Sequence, residues 1–183
     1  VLLIDLAGKQ GDLVKHFGEW DTVQDQIEQE DDWPNIATVF DETWEKIATK
    51  LGDAAVEGLI IDTDEGPDLI PAHPGLDGLD DDLGNIDDAE ARYSRLTNFL
   101  DEYVDPLGYD VVLIDLPGLS NNVTYNGLWA AENVIAPVEM GPFESEQASL
   151  LYDDLALMGD QFEVDISLAL VLPNKFDSRT KLA

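Results

Sequence analysis

The stretch Tyr109–Val138 reads YDVVLIDLPGLSNNVTYNGLWAAENVIAPV. Val111, Val112, Leu113 and Ile114 form an unbroken apolar run, the pattern of a strand buried on both faces in a parallel sheet covered by helices. Asp115 ends that run, and Pro117-Gly118 follow within three residues. Open α/β sheets bind ligands outside the carboxyl ends of their strands, so Asp115 falls on the chemically useful edge. The residues beyond it predict a helix near 124–131 and a second strand at 133–138.

Working outward, Val1 to Asp5 reads as a strand, and the loop AGKQGD leads into a short helix that Gly18 stops. Residues 21 to 32 are polar and acidic, a short helix and loop. After Pro34, the residues Ile36, Val39, Phe40, Trp44, Ile47 and Leu51 recur at three- and four-residue intervals and predict one helix ending at Gly52. Leu59–Asp62 and Leu69–Pro71 read as short strands about a turn at Glu65-Gly66-Pro67. Residues 74 to 86 form a loop or ragged helix, in which Asp80, Asp81 and Asp82 read as a solvated face. A helix is expected over 88–104, with Tyr93, Leu96, Leu100 and Tyr103 on one side. Ser145 is expected to cap a further helix running to about Met158, and Ile166 to Leu172 forms a last strand closing at Pro173. Strands alternating with helices imply a single α/β domain over 1–183 with a largely parallel sheet. The tryptophans 20, 33, 44 and 129 read as core or rim packing.

The chain has 183 residues, no cysteine and two histidines, His16 and His73, which excludes disulfides and histidine-rich or thiolate metal sites. No apolar run approaches the roughly 20 residues needed to cross a bilayer, so no membrane association is evident and the chain reads as cytoplasmic. It opens on Val1 inside a strand and stops shortly after another, which reads as a fragment truncated at both ends. The formal net charge is -31, from 40 acids and 9 bases. Residues 19–110 hold 27 of the acids against 4 bases. Apolar residues interrupt the acids at helical or strand spacing throughout, so this is a folded acidic surface rather than a disordered tail. It suits concentrated salt, where charges are screened beyond about 3 Å at 1 M.

Four segments, in order, carry a resemblance: VLLIDLAGKQGDL, DLIPAHPGLD, YDVVLIDLPGLSNNVTYNGLWAAENVIAPVEMGPFE and VLPNKFDSRTKLA. Together they resemble the ParA/Soj partition ATPases of the deviant Walker, MinD-related group, in an acidic, haloarchaeal-type form. Residues 19–58 are the least similar. The resemblance implies a three-layer P-loop NTPase-like α/β fold. It also implies ATP and Mg2+ as cofactors, a homodimer formed on ATP binding, a ParB-like partner that stimulates hydrolysis, and non-specific DNA binding by the intact protein in plasmid or chromosome segregation.

Carried onto this chain, the resemblance makes Asp115 the Walker B carboxylate, holding a magnesium-bound water. Pro117 and Gly118 resemble the switch that follows, and Asn126 falls on the switch asparagine. Asp5 matches the first aspartate of a D-x-D-P-Q switch, whereas Ala7 stands at the second, water-positioning aspartate. Asp12 is the candidate to substitute by reaching back. Asn174 falls where the group reads the base edge, Pro173 would fix the approach of the backbone, and Arg179 with Thr180 resembles the family's R-T pair, which makes all three candidate nucleotide-binding residues. The family's lysine-bearing phosphate loop would precede VLLID. No G-x-x-x-x-G-K-[ST] run occurs in the sequence, and Gly8-Lys9 is followed by Gln10, so the chain as it stands is expected to bind ATP poorly and to be inactive.

Two other readings stay open. DLPG and NKFD match the D-x-x-G and N-K-x-D signatures of GTPases, 59 residues apart, with Asp177 then reading guanine. Ala7 in place of the second aspartate also fits a dimerising adaptor that does not hydrolyse nucleotide.

Overall fold

The computed structural model describes residues 1–8, 11–29, 32–64, 66–118, 120–139 and 142–174. They fall into two compact units, Val1–Ala130 and Ala131–Ala183.

The first unit is built on β1 (Leu2–Asp5), which pairs in parallel with both β3 (Asp68–Ile70) and β4 (Val112–Asp115). A two-residue β2 (Ile61–Asp62) runs antiparallel along β3, giving the order β2-β3-β1-β4. Thr63 donates its hydroxyl to the carbonyl of Pro67 at 2.6 Å, closing the hairpin that turns at Gly66, whose φ is 106°.

Side chains alternate across a strand, and here each face has its own core. Leu2, Ile4 and Ile70 point into the larger one, where they meet Ile36, Val39, Trp44, Leu96 and Phe99. Those residues come from α3 (Ile36–Val39), α4 (Trp44–Leu51) and α8 (Arg95–Phe99), with Val123 of α9 (Asn122–Ala130) joining them. Trp44 stands edge-on to both Phe99 and Tyr103 at 5.4 Å. On the opposite face, Leu3 and Leu69 pack with Val14 of α1 (Asp12–His16) and Val23 of α2 (Trp20–Glu28). Helices thus cover both sides of a largely parallel sheet, as the sequence predicts.

Several local expectations are corrected. The apolar run at 111–114, in β4 at one edge of the four-stranded sheet, is not buried on both faces. The second core covers Leu3 and Leu69 but does not extend to Leu113, which is 49% exposed. The helix expected from Pro34 to Gly52 is two, α3 and α4. Asn35 caps the first by accepting from the Ala37 N–H at 3.0 Å, and Asp41 accepts from the Thr43 N–H at 2.7 Å in the turn between them. The helix expected over 88–104 breaks at Ser94 into α7 (Ala89–Tyr93) and α8, followed by a widened π-type turn at Leu100–Val104. Asp88 caps α7 through the Ala91 N–H at 2.8 Å. The stretch after β3 forms a 3-10 turn at Pro74–Gly78 and then α6 (Leu79–Gly84), and α5 (Ala54–Glu57) follows α4.

In the second unit β5 (Asn133–Glu139) and β6 (Ser167–Asn174) pair in parallel, joined through α10 (Pro142–Phe162). The helix begins at Pro142, ahead of the expected cap at Ser145. The last strand runs through Pro173, which pairs with Val138, and ends at Asn174 opposite Glu139. Among the described residues, no helix is long and apolar enough to cross a membrane.

Candidate functional site

The register of two strands builds the site. Leu2, Leu3, Ile4 and Asp5 stand opposite Val112, Leu113, Ile114 and Asp115, so two aspartates become neighbours at the carboxyl ends of adjacent parallel strands. The ladder continues one step further, with the Leu6 N–H donating to the Asp115 carbonyl at 2.9 Å. Because side chains alternate, Asp5 and Asp115 share the face of Leu3 and Leu113, the side on which α1 packs.

Asp12 is the first residue of α1, and the chain reaches it through a left-handed turn. Gly11 has φ 55°, and a Cβ there would stand 2.4 Å from the Trp20 ring, so only glycine fits. The charge of Asp12 reaches both strand-end carboxylates. Lys15, one turn on, lies 4.0 Å from Asp12 and 4.4 Å from the centre of the Trp20 ring.

Asp5 is fully buried. One carboxylate oxygen accepts from the Ala7 N–H at 2.9 Å, while Oδ2 is buried with no partner among the described residues. Burial is the main cause pushing its pKa above the ordinary carboxylate value. The Ala7 N–H opposes that shift, and the charges of Asp115 and Asp12 add to it. Asp115 is exposed as a residue at the sheet edge, yet desolvation of its carboxyl, followed by the charge of Asp12, raises it as well. The site is therefore a pocket of mutually repelling negative charge containing an oxygen that lacks a donor. Among the described residues, no group of three His, Asp or Glu side chains is placed to ligate a metal directly.

Pro117 and Gly118 lie in the loop between Asp115 and α9, and a Cβ on Gly118 would meet no atom within 4 Å. Asn126, on α9, is fully buried. Its Nδ2 donates to the Arg92 carbonyl at 3.0 Å and the Asn122 carbonyl at 2.9 Å, and its Oδ1 is buried without a partner among the described residues. Pro173 and Asn174 close β6 in the second unit, both exposed. Arg179 and Asp177 lie outside the described residues.

Sequence reading missed Asp80. Rather than serving only as a solvated face, it caps α9. Its Oδ1 accepts from the Asn122 N–H at 2.7 Å and from Asn122 Nδ2 at 2.8 Å, and its carbonyl accepts from the same Nδ2 at 2.9 Å. The partners are 42 residues apart, and no local pattern announces such a cap.

Residues 1–168 match the AAA domain family. The chain is an AAA-domain protein. This AAA-domain chain is 31% identical over 117 residues to the chromosome partitioning protein ParA of Myxococcus xanthus, a match covering 63% of this chain and 39% of that protein. It is 32% identical over 128 residues to the chromosome-partitioning ATPase Soj of Thermus thermophilus, covering 70% and 47%. The chain spans less than half the length of these curated relatives. Cobyrinic acid a,c-diamide synthase of Mycobacterium smegmatis, solved with ADP and magnesium, matches with a TM-score of 0.70 at 28% identity, covering 98% of this chain and 63% of that one. A plasmid partition protein of Borrelia burgdorferi matches with a TM-score of 0.70 at 19% identity, covering 100% and 70%, a likeness of fold. The P-loop NTPase-like α/β fold of the AAA-domain chain is the one its sequence predicts.

Proposed function

We propose that this chain is the switch-bearing part of a ParA-family partition ATPase, acting in the cytoplasm as an ATP-dependent homodimer on non-specific DNA under a ParB-like partner to segregate a plasmid or chromosome. The observation that carries this is the register pairing of Asp5 with Asp115, with a fully buried, unpartnered Asp5 oxygen between helix-covered strands. The partition relatives and the nucleotide-bound neighbour support the same reading.

Each residue then has a role. Asp115, open to solvent, would hold a water of the Mg2+ that accompanies ATP, and the buried Asp5 would stand beside it as a second negative charge. Magnesium, when bound, neutralises charge on the terminal phosphate oxygens. The orphaned Asp5 oxygen and the raised carboxylates fit such a cation, held through water rather than by direct ligation. Asp12, at the start of α1, takes the place of the second switch aspartate that Ala7 lacks and orients the attacking water. Pro117 and Gly118 form the loop that senses the γ-phosphate, and the unsatisfied Oδ1 of Asn126 finds its donor in the ATP-bound arrangement. Asn174 reads the base edge, Pro173 fixes the approach of the backbone, and Arg179, of the family's R-T pair, belongs to the same nucleotide-binding set. The acidic surface adapts this machine to concentrated salt.

The test is nucleotide competition and phosphate release by the protein expressed from its complete reading frame. Binding of ATP over GTP with Mg2+-dependent hydrolysis, lowered about 100-fold or more in Asp115→Ala, is the expected result. Tight GDP binding with indifference to ATP would establish the GTPase reading. ATP-dependent dimerisation with no phosphate released, even with DNA and partner, would make the chain an adaptor.

A further inference from the structure

A second polar site lies apart from Asp5 and Asp115 and does not depend on the partition reading. At the carboxyl end of β3 a cavity of about 290 Å³ opens between α2 and the start of β2, walled by Ile27, Asp32, Trp33, Ile60 and His73. That is near the lower end of ligand-pocket volumes, with room for a guest the size of a side chain.

The polar corner of this cavity is fixed from two directions. His73 Nδ1 accepts from the Gly75 N–H at 3.0 Å, which leaves the ring proton on Nε2, and Nε2 donates to Asp32 Oδ2 at 2.6 Å. Asn35 Nδ2 donates to the Asp32 carbonyl at 3.0 Å while Asn35 Oδ1 caps α3. One carboxylate oxygen of Asp32 is thereby engaged and its position set, and the other makes no hydrogen bond among the described residues. Beside it, Trp33 leaves 54% of its surface open, unlike Trp44 in the core. Among the described residues, no lysine or arginine lines the cavity.

A held carboxylate beside an open indole, over the apolar side chains of Ile27 and Ile60, in a molecule of formal charge -31, selects a cation on an apolar stem. Between the two common organic cations, a guanidinium is planar, stacks on an indole and presents paired donors to a carboxylate, whereas an ammonium is a compact, strongly hydrated point charge. We propose that this cavity binds a guanidinium group on a short aliphatic stem, stacked on Trp33 and paired with the free oxygen of Asp32, with His73 as the residue that positions the carboxylate.

The probe is N-acetyl-arginine amide, titrated calorimetrically into the chain at about 1 M potassium chloride, where non-specific attraction is screened beyond about 3 Å. Saturable binding is expected, weakened about tenfold or more in Asp32→Asn and for the neutral isostere N-acetyl-citrulline amide, as loss of a charge-assisted pair requires. Trp33→Ala, at a position 54% exposed, weakens binding about threefold or more while Trp33→Phe retains it. If a Gly-Arg-Gly peptide binds more tightly than the amide, the natural guest is an arginine of a partner protein; equal affinity points to a free guanidinium metabolite. Absence of saturable binding, equal binding of the citrulline compound, or unchanged affinity in both Asp32→Asn and Trp33→Ala would overturn the proposal.

Discussion

Asp5 and Asp115 are register partners on adjacent parallel strands, one fully buried and the other open to solvent. Burying a carboxylate whose second oxygen has no donor costs stability, and two neighbouring negative charges increase that cost. The fold keeps this arrangement where a hydrophobic pair would pack better, as functional sites do.

Asp5→Asn should therefore stabilise the ligand-free chain at pH 7. The folded chain holds the Asp5 proton more tightly than the unfolded chain does, so the Asp5 contribution to stability falls as pH rises from the ordinary value of 3.8 through the raised folded one. The amide keeps an acceptor for the Ala7 N–H and removes one charge facing Asp115 and Asp12. Urea melts should show a gain of roughly 1–3 kcal/mol at pH 7 that disappears below the unfolded carboxylate value. A loss of stability at pH 7 would contradict the cost assigned to Asp5.

Tyr109 donates its hydroxyl to Asp68 at 2.5 Å, tying the approach to β4 to the start of β3. Burial first, then this bond and the charge of Asp68, pushes the phenol up to about 12. The folded state keeps the proton over a range in which the unfolded chain loses it, so stability should decline between about pH 10 and 12. Burial and Glu102 raise Tyr103 as well, so tyrosine absorbance should show a late-titrating component of which Tyr109→Phe removes the part near 12, at a cost of roughly 1–3 kcal/mol.

Asp80 pins the first residue of α9, so the Pro117–Asn121 loop is held at one end by Asp115 in β4 and at the other by this cap. Asp80→Ala should destabilise the chain by about 1–2 kcal/mol and speed amide exchange in α9. Asp80→Asn, which retains an acceptor, should recover most of the protection. Equal exchange in all three proteins would show that the cap does not hold the helix.

Stability should rise with potassium chloride toward molar concentrations, because 40 acids against 9 bases repel one another in dilute salt. Denaturation midpoints across a salt series measure this directly. A maximum at the lowest salt would refute it.

The sheet was readable because its signals are local. VLLID and VVLID each end an apolar run in an aspartate, and alternation with helices supplies the parallel order. What could not be read depends on distant partners. The exposure of Leu113 depends on which strands the α1–α2 layer covers, and nothing in its own run encodes that. Phe40 and Trp44 keep helical spacing across a real break, since both face one core although the backbone turns between them. Asp80 and Asn122, like Asp32 and His73, meet across 42 and 41 residues, with no motif to announce either contact. Asp12 was legible as a candidate only by resemblance; the left-handed turn at Gly11 places it at the start of α1, on the face that Asp5 and Asp115 share.

The most direct measurement is a carbon-13 carboxyl NMR titration of the complete protein, with Asp5, Asp12 and Asp115 assigned by single substitution, without and with magnesium and a non-hydrolysable ATP analogue. If these carboxylates form the cation site, Asp5 and Asp115 titrate above the ordinary carboxylate range in the free protein and both drop when the magnesium nucleotide binds. Nucleotide binding that leaves both titrations unchanged would place the site elsewhere.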